Sequence, residues 1–187
     1  MTFLLGFILV LAFLVLLAVW IYNSLVGKRN QILNAEGSID SMLKKRFDLL
    51  PNLVETCKVY LSHEKEMFNY LAELRMQAST GNLDANTKDL INTSASKTVA
   101  DLMVLAENYP ELKSSNNFLQ LQAAWNETED QIAASRRFYN SAIVDYNTAI
   151  QVFPSSLVAA VFGFKERNVF EAKTEEKAAV SARQLFS

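Results

Sequence analysis

The chain has one cysteine, one histidine, three prolines and five glycines in 187 residues. Each scarcity excludes something. A lone Cys57 forms no intrachain disulfide. It falls on an apolar helical stripe, so a buried, inert thiol is expected. The lone His63 lies in "SHEKE", among charges, with no acidic residue three positions before it. A di-metal carboxylate site in a helical bundle needs Glu-x-x-His on two helices, and one histidine is not enough. The patterns GxxxxGK[ST], GxGxxG and HExxH are also missing. An excess of one charge sign is lacking too: 18 Lys and Arg stand against 20 Asp and Glu, net −2. No global field therefore recruits nucleic acid. The runs Lys44-Lys45-Arg46 and Arg136-Arg137 are too short and isolated for a nucleic-acid face. The carboxylates Glu127, Glu129 and Asp130 fit the solvated side of a helix better than an acid/base pair. No catalytic, cofactor or metal residue is assigned, no small-molecule substrate is evident, and the expectation is a non-enzyme.

What is present begins at the N-terminus. "MTFLLGFILVLAFLVLLAVWIYNSLVG" carries no charged side chain before Lys28. Phe3 to Ile21 is 19 residues, about 28 Å as a helix, enough to cross a hydrocarbon core. A cleaved signal peptide would show a basic start and a small-x-small exit. Here bulky Trp20, Ile21 and Tyr22 occupy the exit, and Trp20 and Tyr22 suit the headgroup boundary. The expectation is a retained single-pass anchor over residues 1–24. The only basic side chains near it, Lys28 and Arg29, follow it. The positive-inside rule then puts the N-terminus outside and the rest in the cytoplasm.

Beyond the anchor the apolar period is helical, and Gly and Pro are scarce. Leu25, Ile32, Ile39, Leu43 and Phe47 make the first stripe. Pro51 is expected to break the helix, with Lys44, Lys45 and Arg46 at the C-terminal end before it; a kinked continuous helix is the rival. A second helix is expected from Pro51 to Ala78, ended by Gly81 and Asn82. A third follows, capped by Asn86 and firm through Val99, Leu102 and Ala106. In the fourth, Phe118, Trp125, Ile132, Tyr139, Tyr146 and Phe153 recur every seven residues. Leu121, Thr128, Ser135, Ala142 and Ala149 form a mostly small companion seam, which is core packing rather than a stacking platform. The expected fold is all-α: an N-terminal transmembrane helix, then an antiparallel up-and-down four-helix bundle over 25–153. If Pro51 breaks the helix, the fourth helix ends beside the bilayer; if it only kinks it, Phe153 points away.

Residues 154–171 form an apolar capping or interfacial segment, and 172–187 a tail that is a short amphipathic helix or disordered. In "VFPSSLVAAVFGF", Pro154 enters a short helix, Ser155 or Ser156 caps it and Gly163 ends it. Leu157, Val161 and Phe164 fall on one side, widened by Val158 and Phe162, with Lys165 and Arg167 just after. At eight or nine residues it is too short to span. Three uses remain open: plugging the bundle, lying in the membrane interface with its basic residues toward anionic headgroups, or binding a second copy or another membrane protein.

The chain resembles the LemA family of bacterial membrane proteins. The resemblance is carried by "YNSLV", "SMLKKRFDLLPNLVETCKVYLSHEKE", "LAENYPELKSSNNFLQLQ", "ASRRFYNSAIVDYNTAIQ" and "FPSSLVAAVFGFKER", in family order. It departs locally at Glu36-Gly37, where relatives often have an aromatic. The resemblance implies a bacterial cell-membrane protein with a single anchor and a helical bundle, and no catalytic residue to carry over. The partners expected are the lipid bilayer and a second copy or another membrane protein. The role expected is scaffolding or oligomerisation at the membrane, or alternatively an adaptor for a separate membrane enzyme or receptor.

Overall fold

The computed structural model describes residues 1–61, 63–80 and 83–169. It is all-α, a long apolar N-terminal helix followed by a helical domain, with no strand among the described residues. The order is α1 (Thr2–Phe47), α2 (Leu50–Lys58), α3 (Lys65–Ser79), α4 (Ala85–Ala106), α5 (Pro110–Lys113), α6 (Asn116–Gln151) and α7 (Ser155–Phe162). The stop expected at Gly81 and Asn82 and the tail 172–187 lie outside the described residues. The chain divides into two compact units, Met1–Glu36 with Arg136 onward, and Gly37–Ser135.

In the first unit, α1 and α6 run antiparallel. Glu36 acts electrostatically on Tyr139, while Tyr22 meets α7, just past the end of α6. Their seam is the seven-residue pattern made solid: Ile21, Leu25 and Ile32 pack with Ala142, Ile143, Tyr146 and Ile150. The small alanines let the helices approach, and the large residues fill the gaps. Every residue from Met1 to Leu16 is exposed, so the apolar run has no protein cover until Leu17.

The second unit departs from the pattern in three places. Helix α1 is interrupted at Asp48–Leu49, just before Pro51, yet the backbone stays right-handed at Leu49 (φ −78°, ψ −26°). The Asp48 N–H still reaches Lys44 O at 3.0 Å, and the Leu49 N–H tightens to Arg46 O at 3.1 Å. Pro51 falls in the first turn of α2, where its missing N–H costs nothing. The expected helix from Pro51 to Ala78 is split instead at 59–64, where the Tyr60 and Leu61 N–H groups both close on Cys57 O. No glycine or proline marks that turn. The α4 N-cap position is held by Asp84, not Asn86, and the Thr87 hydroxyl keeps the Asp84 carboxyl below its ordinary pKa.

Cys57 is fully buried in this unit, and burial pushes its thiol up to about 12. Only the thiolate is nucleophilic, so a raised value leaves the thiol protonated and inert at neutral pH. We expect Cys57 to react with iodoacetamide at pH 7.5 at least about a hundredfold more slowly than a free thiol, and at the ordinary rate in denaturant. Mass spectrometry of the alkylated chain reads this, and fast labelling of folded protein would contradict it.

Candidate functional site

His63 is exposed in a turn, and no cluster of three His, Cys, Asp or Glu side chains fit for a metal occurs among the described residues. A cavity of about 510 Å³ in the second unit is lined by Leu43, Phe47, Leu83 and Ile91 with Asp40, Lys44, Asp48 and Lys88 among its polar rim. Lys88 Nζ lies 2.7 and 2.9 Å from the two Asp40 carboxylate oxygens. The closest charges there satisfy each other rather than converging on a ligand.

Three polar side chains of this unit are buried among the described residues, Arg46, Asn92 and Thr128, and Arg46 has no exposed surface. Its Nη1 donates to Asn92 Oδ1 at 2.9 Å, its Nη2 to Glu129, and its guanidinium carbon lies 4.2 Å from the Trp125 ring centroid. Arg46 stands in the last turn of α1, where the sequence pattern places it with Lys44 and Lys45, and it also falls on the repeat Leu25, Ile32, Ile39, Arg46 and Leu53, each member buried. That seven-residue spacing was the available signal. Glu127, Glu129 and Asp130 are exposed, as expected, but Glu129 also reaches Arg46. This clasp ties α1 to α4 and α6. It is structural in character, because its groups are turned on one another.

The other feature is α7, in the first unit. Its helix starts at Ser155 without a side-chain cap. The Ser155 hydroxyl turns back to Ala149 O at 2.6 Å and Val152 O at 2.9 Å, so it caps the end of α6 rather than the start of α7. Gly163 ends the helix at φ +71°, and the Phe164 N–H closes on Ala159 O at 3.0 Å. That left-handed step redistributes the apolar side chains. Ala159 is buried, and Val158 and Phe164 pack on the core with it. Leu157, Val161 and Phe162 are 62%, 78% and 58% exposed. The sequence pattern puts Phe164 on the Leu157–Val161 side. Gly163 reverses the chain before Phe164, so it turns inward instead. Phe153 joins the outward group at 80% exposed, although its spacing assigns it to the core seam. Helix α6 stops at Gln151, and past that point helical register no longer holds.

Helix α7 lies against the end of the apolar run of α1. The Phe162 and Phe164 ring centroids are 4.7 and 5.8 Å from that of Tyr22, and Arg29 lies 5.6 Å over the Phe164 ring. Residues 163–167 then run back along α6, pinned by three side chains. Tyr146 Oη donates to Lys165 O at 3.0 Å. Asn147 donates to Arg167 O at 2.8 Å and accepts from the Arg167 N–H at 3.0 Å. Gln151 donates to the Glu166 carboxylate at 2.8 Å. Nothing crowds the position of a Cβ at Gly163, so the cost of a side chain there is conformational. We expect Gly163→Ala to destabilise the cap by about 1–2 kcal/mol and to speed hydrogen exchange of the Arg167 amide. Unchanged Arg167 exchange would contradict the role given to Gly163.

Among the described residues one helix, near the N-terminus, is long and apolar enough to cross a membrane by length and composition. The sequence model of the LemA family matches residues 35–183. Protein LemA of Metamycoplasma hominis is 26% identical over 183 residues, covering 98% of this chain and 84% of that protein. Magnetosome protein MamQ 2 of Paramagnetospirillum magneticum is 24% identical over 190 residues, with 88% and 70% covered. Magnetosome protein MamQ of Magnetospirillum gryphiswaldense is 22% identical with the same coverage.

Proposed function

The chain belongs to the LemA family, and from that premise we propose that it is a non-catalytic scaffold held to a bacterial cell membrane at two points, the α1 anchor and α7. The anchor is single-pass, with the helical domain on the cytoplasmic side, because the basic pair Lys28 and Arg29 directly follows the apolar run. Anchored this way, the domain presents a helical surface beside the bilayer on which copies of the chain assemble.

The observation that carries this reading is the exposed group Phe153, Leu157, Val161 and Phe162, level with the end of the apolar run. Trp20 and Tyr22 mark the headgroup boundary on α1, and Tyr22 is the residue α7 touches. The 19 residues of the run measure only about 28 Å against a hydrocarbon core of about 30 Å. The bilayer therefore needs the last turns, Leu17–Ile21, where α7 and α6 already pack. Large apolar side chains at that depth gain about 1.5–3 kcal/mol each when lipid covers them. The same face suits a second copy less well, since lipid is already at its level.

The test uses the full-length chain in lipid nanodiscs. Leu157→Cys carries an environment-sensitive fluorophore, with Glu73→Cys in the second unit as the reference. Emission at 157 is expected to shift to the blue and to be quenched by lipids bearing a nitroxide on the acyl chain, while the Glu73→Cys probe reports water. Water-like emission at both positions would reject the second attachment. Crosslinking in membranes checks assembly, and a strictly monomeric pattern would remove that part.

A further inference from the structure

The proposed membrane contact leaves a feature unused: the cations just outside it. Lys28 and Arg29 follow Tyr22 by six and seven residues, about 9–10 Å along α1. Lys165 and Arg167 are brought to the same end of the unit by the strap after α7. Arg29, Lys165 and Arg167 are exposed and Lys28 is half-buried. Among the described residues none of the four forms an ion pair with a carboxylate of this chain. Glu166, between Lys165 and Arg167 in the chain, accepts a hydrogen bond from Gln151, and Glu36 and Arg167 both act electrostatically on Tyr139. Arg29 does have a protein contact, the face of Phe164, which fixes where its guanidinium stands.

The placement is built rather than incidental. A strap of five residues without regular structure would ordinarily let two long cations wander. Here Tyr146 and Asn147 hold the backbone of Lys165 and Arg167 by three hydrogen bonds. The backbone origins of both side chains are fixed, which limits the ordering cost of binding an anion. The headgroup layer adds about 5–8 Å outside each face of the hydrocarbon core, and long basic side chains reach back toward it along their own stems. Four cations therefore ring the site where α1 and α7 enter the membrane.

Resting on the two-point attachment above, we infer that this ring is a binding site for the phosphates of anionic phospholipid headgroups, so that the chain gathers anionic lipid around its anchor. A zwitterionic surface satisfies the apolar face of α7 but offers the four cations only phosphates already balanced by a headgroup cation, with no net negative charge. An anionic surface satisfies both.

The experiment uses the full-length chain in phosphatidylcholine bilayers with trace spin-labelled phosphatidylglycerol or spin-labelled phosphatidylcholine, reading the motionally restricted fraction of each. Phosphatidylglycerol is expected to be favoured about fivefold or more at low salt, with the preference falling as salt is raised. The variant Lys165→Gln/Arg167→Gln is expected to lose most of that preference. It leaves Lys28 and Arg29 to set the orientation of the anchor, and it leaves the pinning hydrogen bonds in place because they use the backbone. Equal restricted fractions for the two lipids, or an undiminished preference in the variant, overturn the inference. The fluorophore at position 157 separates the two readings. If it stays quenched while selectivity is absent, only the headgroup site fails. If it reports water, the attachment beneath it fails.

Discussion

Replacing Arg46 with alanine is expected to destabilise the helical domain by about 3–5 kcal/mol, the range for truncating a large, fully buried side chain. For a chain of this size that corresponds to a fall in Tm on the order of 10 °C or more. The loss has three parts. The stem and guanidinium of a fully buried side chain leave a cavity beside Trp125, which loses its stacked cation. Asn92, itself buried, loses the donor to its Oδ1. Glu129 loses its ion-pair partner. Arg46→Lys is expected to recover little, because a single ammonium cannot span Asn92, Glu129 and the ring face as the planar guanidinium does. Glu129→Gln is expected to cost about 1–3 kcal/mol, since it keeps an acceptor oxygen but leaves the fully buried Arg46 guanidinium without its counter-charge. Thermal unfolding by circular dichroism in detergent measures all three variants. An Arg46→Ala protein within a degree or two of the parent would show that the clasp contributes nothing net.

The second large effect separates a plug from a membrane contact. Leu157→Glu with Val161→Glu is expected to leave the unfolding midpoint within a few degrees, because both side chains already face away from the protein core. In the bilayer the same pair is expected to be severe. Lipid cover on a leucine and a valine is worth about 1.5–3 kcal/mol each, so losing both shifts the docked population by about a hundredfold or more. A quenchable probe placed by Phe153→Cys is then expected to leave the lipid. Had α7 filled the core with this face, the two glutamates would unfold the domain instead. Loss of the folded state would therefore reject the membrane contact and restore the plug. The buried side of α7 offers the complementary control. Ala159→Glu is expected to unfold the first unit, since Ala159 is 3% exposed within the core.

Much of the architecture was legible because periodicity is a local property. The charge-free run from Met1 to Gly27 announced the long apolar helix at the N-terminus. The seven-residue recurrence of Trp125, Ile132 and Tyr146 announced a core seam, and all three are buried. Family membership, carried by blocks along almost the whole chain, confirmed the kind of protein. The exceptions share a cause. Phe153 has core spacing but lies two residues past the end of its helix, and spacing has no meaning once the helix stops. Phe164 lies one residue past a left-handed glycine, which turns it from the outer side to the inner. Arg46 has core spacing and the wrong chemistry, so its charge outweighed its position in the reading. The turn at 59–64 carries no glycine or proline, and only the packing of α2 and α3 calls for it.

The sequence by itself determined the helical class and the long apolar N-terminal helix, because these depend on composition and on the 3.6-residue repeat. Only the tertiary structure decided where the leftover groups go: that Arg46 is enclosed, that Ser155 serves α6, and that α7 divides its apolar side chains between the core and the outside. Those outcomes depend on where helices end and what stands opposite them. A side chain is core or surface only relative to a neighbour, and the neighbours of α7 lie on α1, more than a hundred residues earlier in the chain.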